Sequence, residues 1–156
     1  MKYLTTASIT WECLAGLKHA TEERSSGALV VFVGVVRRDL EGARSVMALS
    51  YEAYPEMCER VIDPLIDEAK LRWELDSVQI QHRLGRVEVG EISVVIVVAA
   101  QHRAAAYAAS QFLIEAIKRD APIWKREHYD DGTSEWAIDH SESDDVDAAR
   151  SVNAHL

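Results

Sequence analysis

Glu91-Ile92-Ser93-Val94-Val95-Ile96-Val97-Val98-Ala99-Ala100 runs straight into Gln101-His102-Arg103-Ala104-Ala105-Ala106, and the change of pattern between the two decides the fold class. The first run is apolar on both parities and rich in β-branched side chains, which reads as a deeply buried strand. The second is rich in alanine and carries an apolar row of Ala105, Ala109, Phe112, Leu113, Ala116 and Ile117, so the chain is expected to be helical over residues 102–119. Pro122 ends that helix, because the residue before a proline avoids helical geometry.

Working outward, Ala28 to Val36 is a second continuous valine-rich run and reads as another strand covered on both faces, set off by Ser25-Ser26-Gly27. Residues 2–10 have strand composition and residues 11–20 that of a short helix. The polar stretch from Asp39 to Arg44 contains Gly42 and reads as a loop. From Val46 to Ala53 a strand is expected, with Met47, Leu49 and Tyr51 on one side and Ala48, Ser50 and Glu52 on the other. Residues 55–73 show helical spacing, in which Met57, Val61, Leu65 and Ala69 form one row and Cys58, Ile62 and Ile66 the next. Pro55 suits the first turn, whereas Pro64 removes an amide donor and predicts a kink or a break.

Ser77 to Leu84 reads as a strand with Val78, Ile80 and His82 facing one way, and Gly85 to Gly90 as a bend. Residues 123–129 and 134–138 form a hairpin around Asp130-Asp131-Gly132. Strands and helices alternate, but the closing hairpin argues for a mixed sheet. The fold class is α+β, a mixed sheet with flanking helices and an additional antiparallel strand part. One domain is expected over residues 1–140, followed by a polar, acidic tail over 141–156.

The 156 residues suffice for one cored domain, and a hydrophobic fraction of 48% with 28% charged residues is that of a globular protein. The longest apolar runs are too short for membrane helices, and the N-terminus lacks the apolar run of a secretion signal, so a cytoplasmic protein is expected. Cys13 and Cys58 form neither a CxxC pair nor a zinc-finger spacing, and the histidines share no ligand spacing, so no metal and no cofactor is expected. A formal net charge of −9 disfavours nucleic acid and anionic membranes as partners.

Against that acidic background the cations recur as Arg37-Arg38, His102-Arg103, Lys118-Arg119 and Lys125-Arg126. Such pairs are usually solvated surface. Here Arg37 follows directly on one valine-rich strand, and His102 and Arg103 on the other, at the start of a helix where free amides and the helix dipole favour anions. Ligands of sheet proteins with flanking helices collect at such junctions. Lys118 sits at the far end of the same helix. Lys125 lies in a short strand that places Ile123, Lys125 and Glu127 on one face and Trp124 and Arg126 on the other. A lysine beside other cations can have its pKa lowered and act as a base or nucleophile, whereas pairing with Glu127 would do the opposite. No glycine-rich phosphate loop is present.

Taken in order, Gly27 to Arg37, Leu49-Ser50-Tyr51-Glu52-Ala53-Tyr54-Pro55-Glu56-Met57, His82-Arg83-Leu84-Gly85, Ala100-Gln101-His102-Arg103 and Ala121-Pro122-Ile123-Trp124-Lys125-Arg126-Glu127 give the chain a specific pattern. It resembles the molybdopterin synthase large (catalytic) subunit family over roughly Gly27 to Ile138. The resemblance implies an α/β hammerhead fold with extra antiparallel strands. It also implies a sulfurtransferase of molybdenum cofactor biosynthesis, which converts cyclic pyranopterin monophosphate into molybdopterin by adding a dithiolene. The sulfur would come from the thiocarboxylated C-terminal Gly-Gly tail of a small ubiquitin-like subunit. Two large subunits would form a central homodimer with one small subunit at each end, a heterotetramer.

Carried over by position, the resemblance makes Lys118 and Lys125 the catalytic lysines. Arg37, His102, Arg103, Arg126 and Glu127 become substrate-binding, and Val35, Val36, Arg38 and His140 an additional pocket lining. The chain departs from the family at Val35, where a lysine is frequent, and at Arg38-Asp39-Leu40, where asparagines are common. It departs again near the C-terminus, where the family can supply a basic residue from the neighbouring subunit and this chain offers His140. The alternative is a non-catalytic protein that binds a ubiquitin-like tail on the same scaffold. A phosphate-ester enzyme of unrelated chemistry with a similar basic pocket is a further reading, but it leaves the ordered motifs unexplained.

Overall fold

The computed structural model describes residues 1–14 and 26–137. Nine strands and two long helices follow in the order β1 (Leu4–Thr5), β2 (Ala28–Val35), β3 (Leu40–Glu41), β4 (Arg44–Ala53), α1 (Pro55–Trp73), β5 (Leu75–Arg83), β6 (Gly85–Glu88), β7 (Ile92–Ala100), α2 (Arg103–Asp120), β8 (Ile123–Tyr129) and β9 (Ser134–Trp136) among the described residues. A short helical turn over residues 11–14 precedes β2. The first sheet has the order β1-β5-β7-β2, with β1 parallel to β5 and the other pairs antiparallel. The second is antiparallel, runs β3-β4-β8-β9, and takes β6 on β4. This is the expected α+β architecture.

Every residue of β7 is buried. Its even-numbered side chains, Val94, Ile96, Val98 and Ala100, join Ile62, Ile66, Leu113 and Ile117 of the helices in the main core. Its odd-numbered side chains Val95 and Val97 pack with Ile9, Ile92 and the half-buried Leu14 on the other face. Each fully buried aliphatic side chain here contributes about 1.5–3 kcal/mol of transfer free energy, so this strand and its helices anchor the domain. No helix among the described residues is long and apolar enough to cross a membrane.

Several expectations change. The run 28–36 was expected to be covered on both faces, yet Leu29, Val31 and Val35 are 42%, 44% and 46% exposed. Val30 and Phe32 meet the main core and Val33 packs against the second cluster, but at this edge of the sheet nothing among the described residues covers the rest of the outer face. Residues 2–10 do not form one strand. Ala7 N–H donates to Thr5 Oγ1 at 3.1 Å, which turns the chain and leaves Ile9 as an isolated bridge to Ile92.

Residues 39–44 form a hairpin rather than a loop, with Gly42 at φ +61° in the turn. Residues 85–90 hold a strand: Gly85, at φ +78°, turns the chain out of β5, and β6 pairs with β4 of the other sheet. Helix α1 runs unbroken through Pro64. Both Pro64 and Arg60 are exposed, so the carbonyl that the proline leaves unpaired faces water. The row Cys58, Ile62 and Ile66, with Ala69, is the buried one, and Met57 is exposed.

At Gly34 the Val94 side chain of β7 fills the space a Cβ would need, since a Cβ built there would lie 2.5 Å from Val94 Cγ1. Gly34→Ala is expected to destabilise the fold by about 1–3 kcal/mol through overpacking. Urea unfolding should show a lower midpoint with an unchanged slope; an unchanged midpoint would mean that Val94 gives way freely.

Candidate functional site

Lys125 is half-buried in β8, directly across from Tyr51 of β4. The Tyr51 ring meets the His82 imidazole edge-on, with centroids 4.8 Å apart and planes at 80°. His82 in turn pairs with Val94, near the start of β7. The lysine is therefore set at one end of the first sheet, beside the edge-to-face pair of Tyr51 and His82. His82 donates from Nδ1 to the Arg83 carbonyl at 2.8 Å, and burial lowers its pKa.

Two residues along the same face, Glu127 accepts a 2.8 Å hydrogen bond from the Tyr129 hydroxyl. Glu41 lies 2.9 Å from that hydroxyl, and Arg44 stacks on the tyrosine ring at 4.0 Å while pairing with Glu41 and Glu135. Burial first, and then these carboxylates, push the phenol upward, so Tyr129 remains a proton donor. Glu127 is thus tied into a carboxylate–tyrosine–arginine cluster.

Lys118 lies in the exposed last turn of α2, one turn before Pro122. The Pro122 carbonyl accepts from Cys58 Sγ at 3.7 Å, near the N-terminus of α1. That helix leads away from β4, whose last residues pair with the start of β8. Arg37 follows β2 at the same end of the first sheet: Val36 N–H donates to the Glu91 carbonyl at 3.0 Å, and the Val36 carbonyl accepts from Gly90 N–H at 2.8 Å. Arg37 itself pairs with Asp39 at 2.8 Å and is otherwise well exposed. Arg37, Lys118 and Lys125 thus all belong to the end of the sheet where β7 begins.

His102 and Arg103 do not join them. Strands β2 and β7 are antiparallel, with Ala28 opposite Ala100 and Val35 opposite Ile92. The residues that follow β7 therefore lie at the other end of the ribbon, about 27 Å away at 3.4 Å per residue. Both strand-end junctions exist, but within one chain they point in opposite directions. His102 is the N-cap of α2, its side chain caps no amide, and both residues are exposed.

The remaining candidates divide by the strand pleat. Val35 is exposed on the outer face of β2, whereas Val36 is only 2% exposed and packs inward, so it supplies backbone rather than pocket lining. Arg38 is exposed beside Arg37. Arg126 points away from Lys125 and stacks on Trp136 at 4.4 Å. His140 and the tail 141–156 lie outside the described residues.

Sequence reasoning singled out neither the Tyr51–His82 pair, the Glu41–Tyr129–Glu127 cluster nor a cavity of about 370 Å³ lined by Glu52, Ala53, Tyr54, Trp124 and Trp136. Each is built from cross-strand neighbours, and only the register of β4 on β8 reveals them. Tyr54 and Trp124 meet at 5.6 Å with planes at 85°. On the same outer face His128 bonds to Ser50 Oγ at 2.7 Å, and burial followed by Arg86 and Arg126 depresses its pKa.

The family described as MoaE protein matches residues 8–120. The chain is 40% identical over 116 residues to the molybdopterin synthase catalytic subunit of Nostoc sp., covering 74% of this chain and 70% of that one. It is 46% identical over 111 residues to the subunit of the same name from Thermoplasma volcanium, covering 71% and 80%. Among solved structures it superposes on molybdopterin synthase from Staphylococcus aureus with a TM-score of 0.79 at 34% identity, over 87% of this chain and 96% of that one. It also superposes on the complex of subunits 1 and 2 of molybdopterin-converting factor from Helicobacter pylori, with a TM-score of 0.74 at 25% identity over 88% and 90%.

The half-buried His82 gives the domain a pH dependence. Its folded pKa is depressed by burial, so the unfolded chain binds the proton more readily. The stability it contributes is fully present above the unfolded value of about 6.5 and is lost as pH falls from there through the folded pKa. Urea unfolding between neutral and mildly acidic pH should show that loss, and His82→Gln should flatten the slope. Equal slopes in the two proteins would place the titration elsewhere.

Proposed function

The chain belongs to the MoaE protein family, and we propose that it is the catalytic subunit of a molybdopterin synthase, a sulfurtransferase of molybdenum cofactor biosynthesis. The observation that carries this reading is the convergence of Lys125, Lys118 and Arg37 on one end of the first sheet, in a chain whose overall charge is negative. Cyclic pyranopterin monophosphate is an anion, and the incoming thiocarboxylate of a small ubiquitin-like subunit ending in Gly-Gly is another. A local group of cations is what receives both. Each tail brings one sulfur, so a dithiolene needs two tails in succession. Lys125 activates or covalently holds the acyl or pterin intermediate, and Lys118 donates a proton or stabilises charge. The tyrosine-bound Glu127 holds the strand face beside Lys125.

The separation of Arg37 from His102 and Arg103 supports a pocket built from two copies of the chain. The edge of β2 has no neighbouring strand among the described residues, and its outer face exposes Leu29, Val31 and Val35. A two-fold axis through the middle of β2 places the Arg37 end of one copy against the His102 end of the other. His102 and Arg103 then reach the substrate across the dimer. Residues 1–140 act as one domain, the tail beyond them lies outside the catalytic unit, and the assembly works in the cytoplasm as a heterotetramer with two small subunits.

Lys125→Ala and Lys118→Ala are each expected to lower dithiolene formation from thiocarboxylated partner by about 10²–10⁴-fold while partner binding persists. Full conversion by both variants would refute the catalytic reading and leave a protein that binds the tail only. For the shared pocket, Arg37→Ala and Arg103→Ala proteins are mixed under conditions of subunit exchange. Random pairing leaves one intact pocket in each mixed dimer, so activity should return to about a quarter of wild type. No recovery would place both residues in the same copy's pocket.

A further inference from the structure

The outer face of the second sheet carries a feature to which the proposed sulfur transfer assigns no role. The cavity lined by Glu52, Tyr54, Trp124 and Trp136 lies on the opposite side of β8 from Lys125, because successive strand residues point to opposite faces. Its aromatic walls are exposed rather than packed. Tyr54 and Trp124 stand nearly perpendicular at 5.6 Å and form a corner, and Trp136 makes a further wall. Glu52 sits directly opposite Trp124 in the β4–β8 register, and its carboxylate makes no hydrogen bond or ion pair with any described residue. Tyr54 is the N-cap residue of α1, yet its side chain caps no amide. The chemistry of this wall is already on display, since the Arg126 guanidinium stacks on Trp136 at 4.4 Å.

Aromatic faces are negative at their centres and attract flat or diffuse cations, and a free carboxylate at the rim adds charge and a hydrogen-bond acceptor. A neutral apolar ligand would gain nothing from the Glu52 carboxylate, and an anion would be repelled by it. We infer that the Tyr54–Trp124–Trp136 cavity is a cation site, taking a guanidinium or alkylammonium group whose charge is met by Glu52. The group arrives either as a free small cation or as an arginine or lysine side chain of a bound polypeptide. This goes beyond the sulfur-transfer reading and does not rest on it.

The test is a titration of the full chain with methylguanidinium, followed through the indole N–H resonances of Trp124 and Trp136. Both should shift saturably, and methylurea, neutral and of the same shape, should leave them unmoved. Glu52→Gln should weaken binding about tenfold with an unchanged melting temperature, and Trp124→Phe should weaken it less. A capped Gly-Arg-Gly peptide that binds at least tenfold more tightly than methylguanidinium assigns the cation to a polypeptide; equal affinity assigns it to a free small molecule. An absence of saturable shifts, equal response to methylurea, or unchanged affinity in Glu52→Gln overturns the proposal.

Discussion

The burial of β7 on both faces is the constraint from which the rest follows. With every residue of Ile92–Ala100 buried, the strand needs a hydrogen-bonding neighbour on each edge and a packed layer on each face. Strands β2 and β5 supply the edges, both antiparallel, while α1 and α2 cover one face and the Ile9 segment covers the other. The antiparallel pairing is a geometric necessity with a functional result. It sends the chain leaving β2 and the chain leaving β7 to opposite ends of the sheet, and so separates Arg37 from His102 and Arg103.

Much of this was legible because burial writes itself into composition. The unbroken valine and isoleucine of β7, the alanine-rich α2 and the Pro55 start of α1 each agree with their local propensity, and the structure keeps their boundaries to within a residue or so. What failed were segments in which a few polar atoms override composition. Thr5 turns the N-terminal segment through one hydrogen bond to the Ala7 amide, and Gly85 swings β6 onto the other sheet. Pro64 fails to break α1 for the same kind of local reason, because the position faces water. The valines of β2 differ for another reason: composition reports that a face is apolar, not what covers it, and an edge strand with an exposed apolar face looks the same as a central one.

The candidate site was legible residue by residue and illegible as an arrangement. Alternation along β8 correctly separated Lys125 and Glu127 from Trp124 and Arg126. It could not show that Tyr51 faces Lys125 or that Glu52 faces Trp124, since those pairs are fixed by cross-strand register. Glu127 illustrates the consequence. From sequence it was equally a partner for Lys125 or a ligand for substrate, whereas the fold brings the Tyr129 hydroxyl to its carboxylate.

One thin strand therefore separates two chemistries. On the inner side of β8 a lysine lies beside the edge-to-face Tyr51 and His82 at a sheet end that gathers cations; on the outer side tryptophans and an unpaired carboxylate form a surface suited to cations. Charges on the two sides of one strand sense one another less as salt rises, since the Debye length is about 10 Å at moderate ionic strength. A cation held by Glu52 would thus add to the field felt by anions on the Lys125 side. The overall charge of −9 makes such local gathering useful, because the chain as a whole carries a net charge that disfavours an anionic substrate. Placing the two basic clusters at opposite ends of each copy would, in the proposed dimer, confine that attraction to the assembled enzyme.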